Sequence, residues 1–162
     1  CGMFAEECRK VAAEFPDVAY DEVMVDTFAM RLAMKPQIFD VAVTTNTFGD
    51  ILSDEAAGLV GGLGMAPGLC AGGRWAMAQA THGSAPDIAG RGIANPYAMI
   101  MSGQMLLDWL GRHRNEPRAN AAADKIARAV DKVIEDKIDL TPDLGGTGAT
   151  RSMAAAVQLA IS

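Results

Sequence analysis

What the sequence lacks narrows it first. It holds three cysteines, Cys1, Cys8 and Cys70, with no C-x-x-C pair and no zinc spacing. So sparse and odd a set suits a reducing compartment, with a cytoplasmic location as the default, better than a disulfide framework. Basic residues are outnumbered, 14 Lys and Arg against 20 Asp and Glu, for a net charge of −6. No basic stripe tracks a phosphate backbone, so nucleic acid is not an expected partner. Apolar runs are cut by Gly, Pro or charge before the roughly 20 residues of a bilayer span. No basic-then-apolar signal segment opens the chain either, so no membrane is expected. Neither G-x-G-x-x-G nor a Gly-Lys-Ser/Thr loop is present, which removes the Rossmann and Walker fingerprints. There is no internal repeat and no low-complexity tail.

What is there is 162 residues, half of them apolar, enough for one domain or parts of two. The chain starts at Cys1, in what reads as the middle of a fold, and is expected to be a fragment. Phe4, Cys8, Val11 and Phe15 recur at helical spacing opposite Glu6, Glu7, Arg9 and Lys10, predicting an amphipathic helix ended by Pro16-Asp17. β-Branched residues and Tyr20 predict a strand over 18–25, after which Asp26 stands where a helix through about Met34 needs an N-cap. A second short strand is predicted over 39–44.

That strand leads into Asn46-Thr47-Phe48-Gly49-Asp50-Ile51-Leu52-Ser53-Asp54 and a helix to about Val60. On a helix Asp50 and Asp54 lie one turn apart on one face. Two readings fit. Like charges so placed weaken a free helix by roughly 0.2–0.5 kcal/mol, a cost that a divalent cation on hard oxygen ligands would turn into a gain. Alternatively, Thr47 with Asp50 is a capping pair, and an acidic first turn suits the helix dipole.

Seven glycines fall between Gly58 and Gly73, marking tight turns or close backbone approach. Residues 81–96 then form a long polar loop too rich in Pro and Gly for a flexible linker. Its small residues with open N–H groups, the His82 ring and the Asp87 carboxylate would suit a nucleotide. A carboxylate there would take ribose hydroxyls and repel a 2′-phosphate. The plainer alternative is that His82 and Asp87 stabilise their own loop. Asn95-Pro96 caps a helix running through Leu110, apolar nearly all round and expected to be buried, with His113 in a solvated turn. A helix over about 118–137, a turn at Asp143-Leu144-Gly145-Gly146-Thr147-Gly148 and a last helix over about 150–161 complete the chain.

Four pieces in this order, Val25-Asp26, the Asn46 to Asp54 motif, the His82 to Pro96 loop and Asp143-Leu144-Gly145-Gly146, resemble the metal-dependent β-decarboxylating dehydrogenases: the isocitrate, isopropylmalate, homoisocitrate and tartrate enzymes. The resemblance implies a two-domain α/β architecture of isocitrate/isopropylmalate dehydrogenase type, present only as its C-terminal half. Residues 1–60 would be part of the smaller, dimer-forming domain with the metal-site helices, and 61–162 the C-terminal part of the larger, NAD-binding domain. It implies that Asp50 and Asp54 hold Mg²⁺ or Mn²⁺ with a 2-hydroxy acid, the metal polarising the oxygen and stabilising the enolate left when CO₂ departs. Asp26 would serve the site of the paired subunit in a homodimer. His82, Gly83, Ser84, Ala85, Asp87 and Asn95 would line the NAD adenosine pocket, with Asp87-Ile88 the NAD-preferring form.

The same likeness places the family's arginine clamp and catalytic Tyr well upstream, and its catalytic Lys a few residues before Cys1. No catalytic residue beyond the metal ligands is therefore expected here, and these residues alone should not turn over substrate. 3-Isopropylmalate is the leading expected substrate and isocitrate the next. A non-catalytic dimerising module, and an unrelated α/β domain whose acidic and glycine-rich loops are caps and turns, are the alternatives.

Overall fold

The computed structural model describes residues 1–161. The chain divides into two compact units, one over Cys1–Leu59 and one from Val60 onward.

The first unit carries α1 (Gly2–Ala12), α2 (Val25–Met34), a 3₁₀ turn at Pro36–Ile38 and α3 (Asn46–Leu59). α1 ends three residues before Phe15, because Glu14 and Phe15 donate to the carbonyls of Val11 and Ala12 and tighten the chain into i→i+3 turns. The Arg9 guanidinium grips Glu22 at 2.5 and 2.7 Å, and Tyr20 Oη donates to the same carboxylate, fastening α1 to the segment that follows it. α2 packs on α3. Leu32 and Ala57 are the buried apolar residues of this unit, and the Phe28 and Phe39 rings meet at 4.4 Å.

Neither predicted strand forms. Residues 18–24 and 39–44 include extended backbone, at Met24 (φ −65°, ψ 142°) and Phe39 (φ −101°, ψ 130°), but no ladder partner pairs with them among the described residues. β-Branched composition is a preference for a pleated, half-buried surface, and without a neighbouring strand it does not make one. Val41 and Val43 accordingly stand 88 % and 70 % exposed.

The second unit is built on a hairpin of β1 (Pro67–Ala71) and β2 (Ala76–Ala80), antiparallel, with Leu69 opposite Ala78. α4 (Tyr97–Arg114) packs on both strands and on α5 (Pro117–Glu135), which packs in turn on α6 (Thr150–Ile161). Ser102, 1 % exposed, joins α4 to the hairpin: its Oγ accepts the Gly68 N–H at 3.1 Å and donates to the Ala98 carbonyl at 2.7 Å. Gly111 lets α5 come close, since a Cβ there would lie 2.3 Å from the Asn120 amide oxygen. α4 stops at Asn115 in the left-handed region (φ 52°, ψ 47°), the C-cap conformation that Asn tolerates. Pro117 at the first position and the Glu116 carboxylate accepting the Arg118 N–H then start α5. The core gathers Val130, Val133, Leu140, Met153 and Val157.

α4 is central but not buried all round, with Met99 55 % exposed. His113 is not merely solvated: it stacks on Trp109 at 4.4 Å, and its Nε2 lies 2.6 Å from the Gly73 carbonyl at the hairpin turn. No helix among the described residues is long and apolar enough to cross a membrane.

Candidate functional site

The candidate residues fall in both units. In the first, α3 begins at Asn46, with the Gly49 N–H donating to the Thr45 carbonyl at 2.8 Å. Thr47 is therefore inside the helix and cannot cap it, which removes the capping-pair reading. Asp50 and Asp54 sit four residues apart on α3, both exposed, and neither carboxylate is hydrogen-bonded or ion-paired among the described residues.

Asp26 also differs from its expected role as a cap. The cap position is Met24, and Asp26 lies in the first turn of α2, its Oδ1 accepting the Thr27 N–H at 2.6 Å. There it complements the positive end of the helix and stays exposed. Among the described residues no group of three or more His, Cys, Asp or Glu is gathered so as to hold a metal within one chain. The structure thus brings Asp50 and Asp54 onto one face, and does not add Asp26 to them in the same chain.

In the second unit, residues 81–96 form a loop anchored at both ends and open in the middle. At its entry Thr81 donates to the Ala66 carbonyl from its N–H at 3.2 Å and from Oγ1 at 3.0 Å. At its exit the first residue of α6 holds it: the Thr150 N–H donates to the Gly92 carbonyl at 2.8 Å and Thr150 Oγ1 to the Ala94 carbonyl at 2.5 Å. Between the anchors His82, Gly83, Ser84, Ala85 and Asp87 are all exposed. His82 Nδ1 lies 2.9 Å from the Gly83 carbonyl, which leaves Nε2 as the outward nitrogen. Ala85 adopts φ +43°, a left-handed conformation that costs a non-glycine residue roughly 1–2 kcal/mol. Its carbonyl accepts the Ile88 N–H at 3.1 Å, closing the turn that presents Asp87.

Asn95 differs from the rest of the loop. It is 8 % exposed, and both ends of its amide are taken: Oδ1 accepts the Tyr97 N–H at 2.9 Å, and Nδ2 donates to Asp143 Oδ2 at 2.9 Å with Met65 Sδ at 3.4 Å. α4 begins one residue later than its position before Pro96 predicts, with Pro96 at the N-cap, and Asn95 satisfies the Tyr97 N–H from just outside the helix. A ligand would therefore meet its backbone rather than its side chain.

Reasoning from residue patterns did not assign Asp143 and Thr150 to the site. Thr at a helix start is a recognisable cap, but nothing local points its hydroxyl at a carbonyl 56 residues away.

An isocitrate/isopropylmalate dehydrogenase family model matches residues 2–157, and the chain belongs to that family. It is 50 % identical, over 96 % of its length, to an isocitrate/homoisocitrate dehydrogenase of Thermus thermophilus, of which it covers 44 %. To a 3-isopropylmalate dehydrogenase of Archaeoglobus fulgidus it is 47 % identical, covering 95 % of this chain and 45 % of that one. Among solved structures, the isocitrate dehydrogenase of Methylococcus capsulatus superposes with a TM-score of 0.90 at 51 % identity, over 99 % of this chain and 46 % of that one. The fold is that of the isocitrate/isopropylmalate dehydrogenases, and the chain spans less than half the length of the relatives it matches.

Proposed function

We propose that the protein carrying these residues is a β-decarboxylating dehydrogenase that oxidises a 3-carboxy-2-hydroxy acid with NAD, and that this chain supplies metal ligands and most of the adenosine site. The observation that carries the reading is the pair of exposed, unpartnered carboxylates one turn apart on α3, in a chain that belongs to this family. The donor set fits Mg²⁺ or Mn²⁺: hard oxygens, only two from one chain, leaving positions for substrate, water and a further carboxylate. Asp26 of a second copy supplies that carboxylate in a homodimer formed through residues 1–60. Exposed apolar residues on the two helices, Met30 and Met34 on α2 and Ile51 on α3, support such pairing.

When bound, the metal supplies a Lewis acid for the hydroxy acid's oxygens, and NAD supplies the hydride acceptor. The chain's own residues bind and orient. Asp50 and Asp54 would hold the ion, and with it orient the hydroxy acid. The open N–H groups at Gly83, Ser84 and Ala85, the His82 ring and the Asp87 carboxylate take the adenosine. Asp87 as ribose acceptor favours NAD over a 2′-phosphorylated cofactor.

Relatives named for isocitrate, homoisocitrate and 3-isopropylmalate stand at 50 and 47 % identity. The proposal is therefore for the class. Full-length protein assayed with 3-isopropylmalate, isocitrate, homoisocitrate and tartrate, with Mg²⁺ or Mn²⁺ and NAD, should reduce NAD with one or more of them. Asp50→Asn and Asp54→Asn should each abolish metal-dependent turnover and weaken Mn²⁺ binding measured directly. Inactivity on all four acids, or Mn²⁺ affinity unchanged in both variants, would overturn it.

A further inference from the structure

Asp143 has no part in the chemistry above, yet its carboxylate is bonded to Asn95 at the loop's exit. It lies in the 3₁₀ turn Pro142–Leu144, 48 residues beyond Asn95, and its Oδ2 accepts from Asn95 Nδ2 at 2.9 Å. The orientation of that amide is fixed by chemistry at both ends. A carboxylate only accepts and the Tyr97 N–H only donates, so Asn95 must present nitrogen to Asp143 and oxygen to α4. Gly64 leaves room for the pair, since a Cβ there would stand 3.1 Å from Asn95 Cβ and 3.3 Å from Asp143 Oδ2. Three chain segments thus meet at the point where the 81–96 loop enters α4.

We propose that Asp143 is a positioning residue for the nucleotide. By holding the Asn95 amide it sets where the backbone of the loop's exit lies, and so acts on cofactor affinity without touching the reacting atoms. This rests on the reading of residues 82–95 as the adenosine site. Removing the carboxylate leaves Asn95 Nδ2 with Met65 Sδ, a weak acceptor, in a nearly closed position. An asparagine at 143 keeps an oxygen for the same bond, so geometry rather than charge is what Asp143 supplies.

The test uses the full-length protein and two readouts. Asp143→Ala should raise KM for NAD about tenfold, or ~1.4 kcal/mol, near the upper end for one ordinary hydrogen bond, while kcat and KM for the hydroxy acid hold. Asp143→Asn should bring KM for NAD most of the way back. Gly64→Ala, which crowds the same pair from the third side, should raise it again. In parallel, amide hydrogen exchange over residues 82–94, measured without ligand, should quicken in Asp143→Ala and Gly64→Ala but not in Asp143→Asn. An unchanged KM with unchanged exchange in the alanine variants overturns the proposal, as does an Asp143→Asn variant as impaired as Asp143→Ala. Should the wild-type protein bind no NAD, the functional reading fails, but the exchange comparison still decides whether Asp143 fastens the loop.

Discussion

Replacing Gly148 by alanine tests whether the turn before α6 is as tightly closed as the structure shows. Residues 139–141 and 146–148 run back along each other, with the Gly148 N–H donating to the Leu140 carbonyl at 2.8 Å and the Gly146 N–H to the Thr141 carbonyl at 3.1 Å. A Cβ on Gly148 would sit 2.1 Å from the Asp139 oxygen and 2.5 Å from its carbonyl carbon. Both are backbone, so no rotamer change relieves the clash. Ordinary contact requires a withdrawal of more than 1 Å, and the chain that must withdraw leads directly into Leu140 and Thr141, 8 % and 0 % exposed beside Met153.

Overpacking of this kind costs about 1–3 kcal/mol and the weakened buried hydrogen bond about 1–3 more, against about 0.4–1 kcal/mol gained because alanine restricts the unfolded chain. The net loss is about 1–6 kcal/mol, a large part of a typical 5–15 kcal/mol, and lowers Tm by roughly 2–24 °C. Gly103→Ala is the matched control. Gly103 lies within α4, exposed, with nothing within 4 Å of its would-be Cβ, so the same substitution should stabilise by about 0.5–1 kcal/mol. Thermal and urea unfolding of the two variants beside wild type give the answer. A Gly148→Ala protein within about 0.5 kcal/mol of wild type, the usual range of harmless surface changes, would refute the close backbone approach.

Other outcomes follow from single contacts. Ser102→Ala leaves the Gly68 N–H without its acceptor and should cost about 1–3 kcal/mol in urea unfolding, with Ser102→Thr losing less if its hydroxyl keeps both partners. The Arg9 guanidinium, first, and the Tyr20 hydroxyl hold the Glu22 carboxyl below its ordinary 4.5 against the opposing effect of desolvation. A depressed carboxyl contributes stability that is present above the unfolded pKa and lost as pH falls through the folded one. Wild type should therefore lose slightly more stability than Glu22→Gln on acidification below pH 4.5, and parallel curves for the two would count against the pair. Asp50→Asn removes an i,i+4 repulsion on α3, so without metal it should stabilise the helix by about 0.2–0.5 kcal/mol, while the Tm rise with Mn²⁺ expected of wild type under the proposed metal role should be lost. A metal-free Tm that falls instead would mean the carboxylate has a structural partner.

The helices were legible from residue order because their signals are local. Ile126, Val130 and Val133 repeat at the spacing of α5, and Asp50 with Asp54 declares a shared face as soon as α3 is known to be a helix. Strands needed more than that. The β-branched 18–25 and 39–44 runs stay unpaired, while the hairpin forms from Pro67–Ala71 and Ala76–Ala80, which contain no β-branched residue at all. Ser102 on α4 and the close pairing of Gly68 with Gln79 supply what composition does not.

By itself, the order of residues determined the family, the helix faces and the loop that presents His82, Ser84 and Asp87. Only the tertiary structure decided that Asp26 is no cap, that the Asn95 side chain is spent on Asp143 and α4, and that Thr150 grips the loop's exit. The reason is range: a helical period is written within one turn of chain, whereas bonds spanning 48 and 56 residues depend on where α4, α6 and the Pro142–Leu144 turn come to rest.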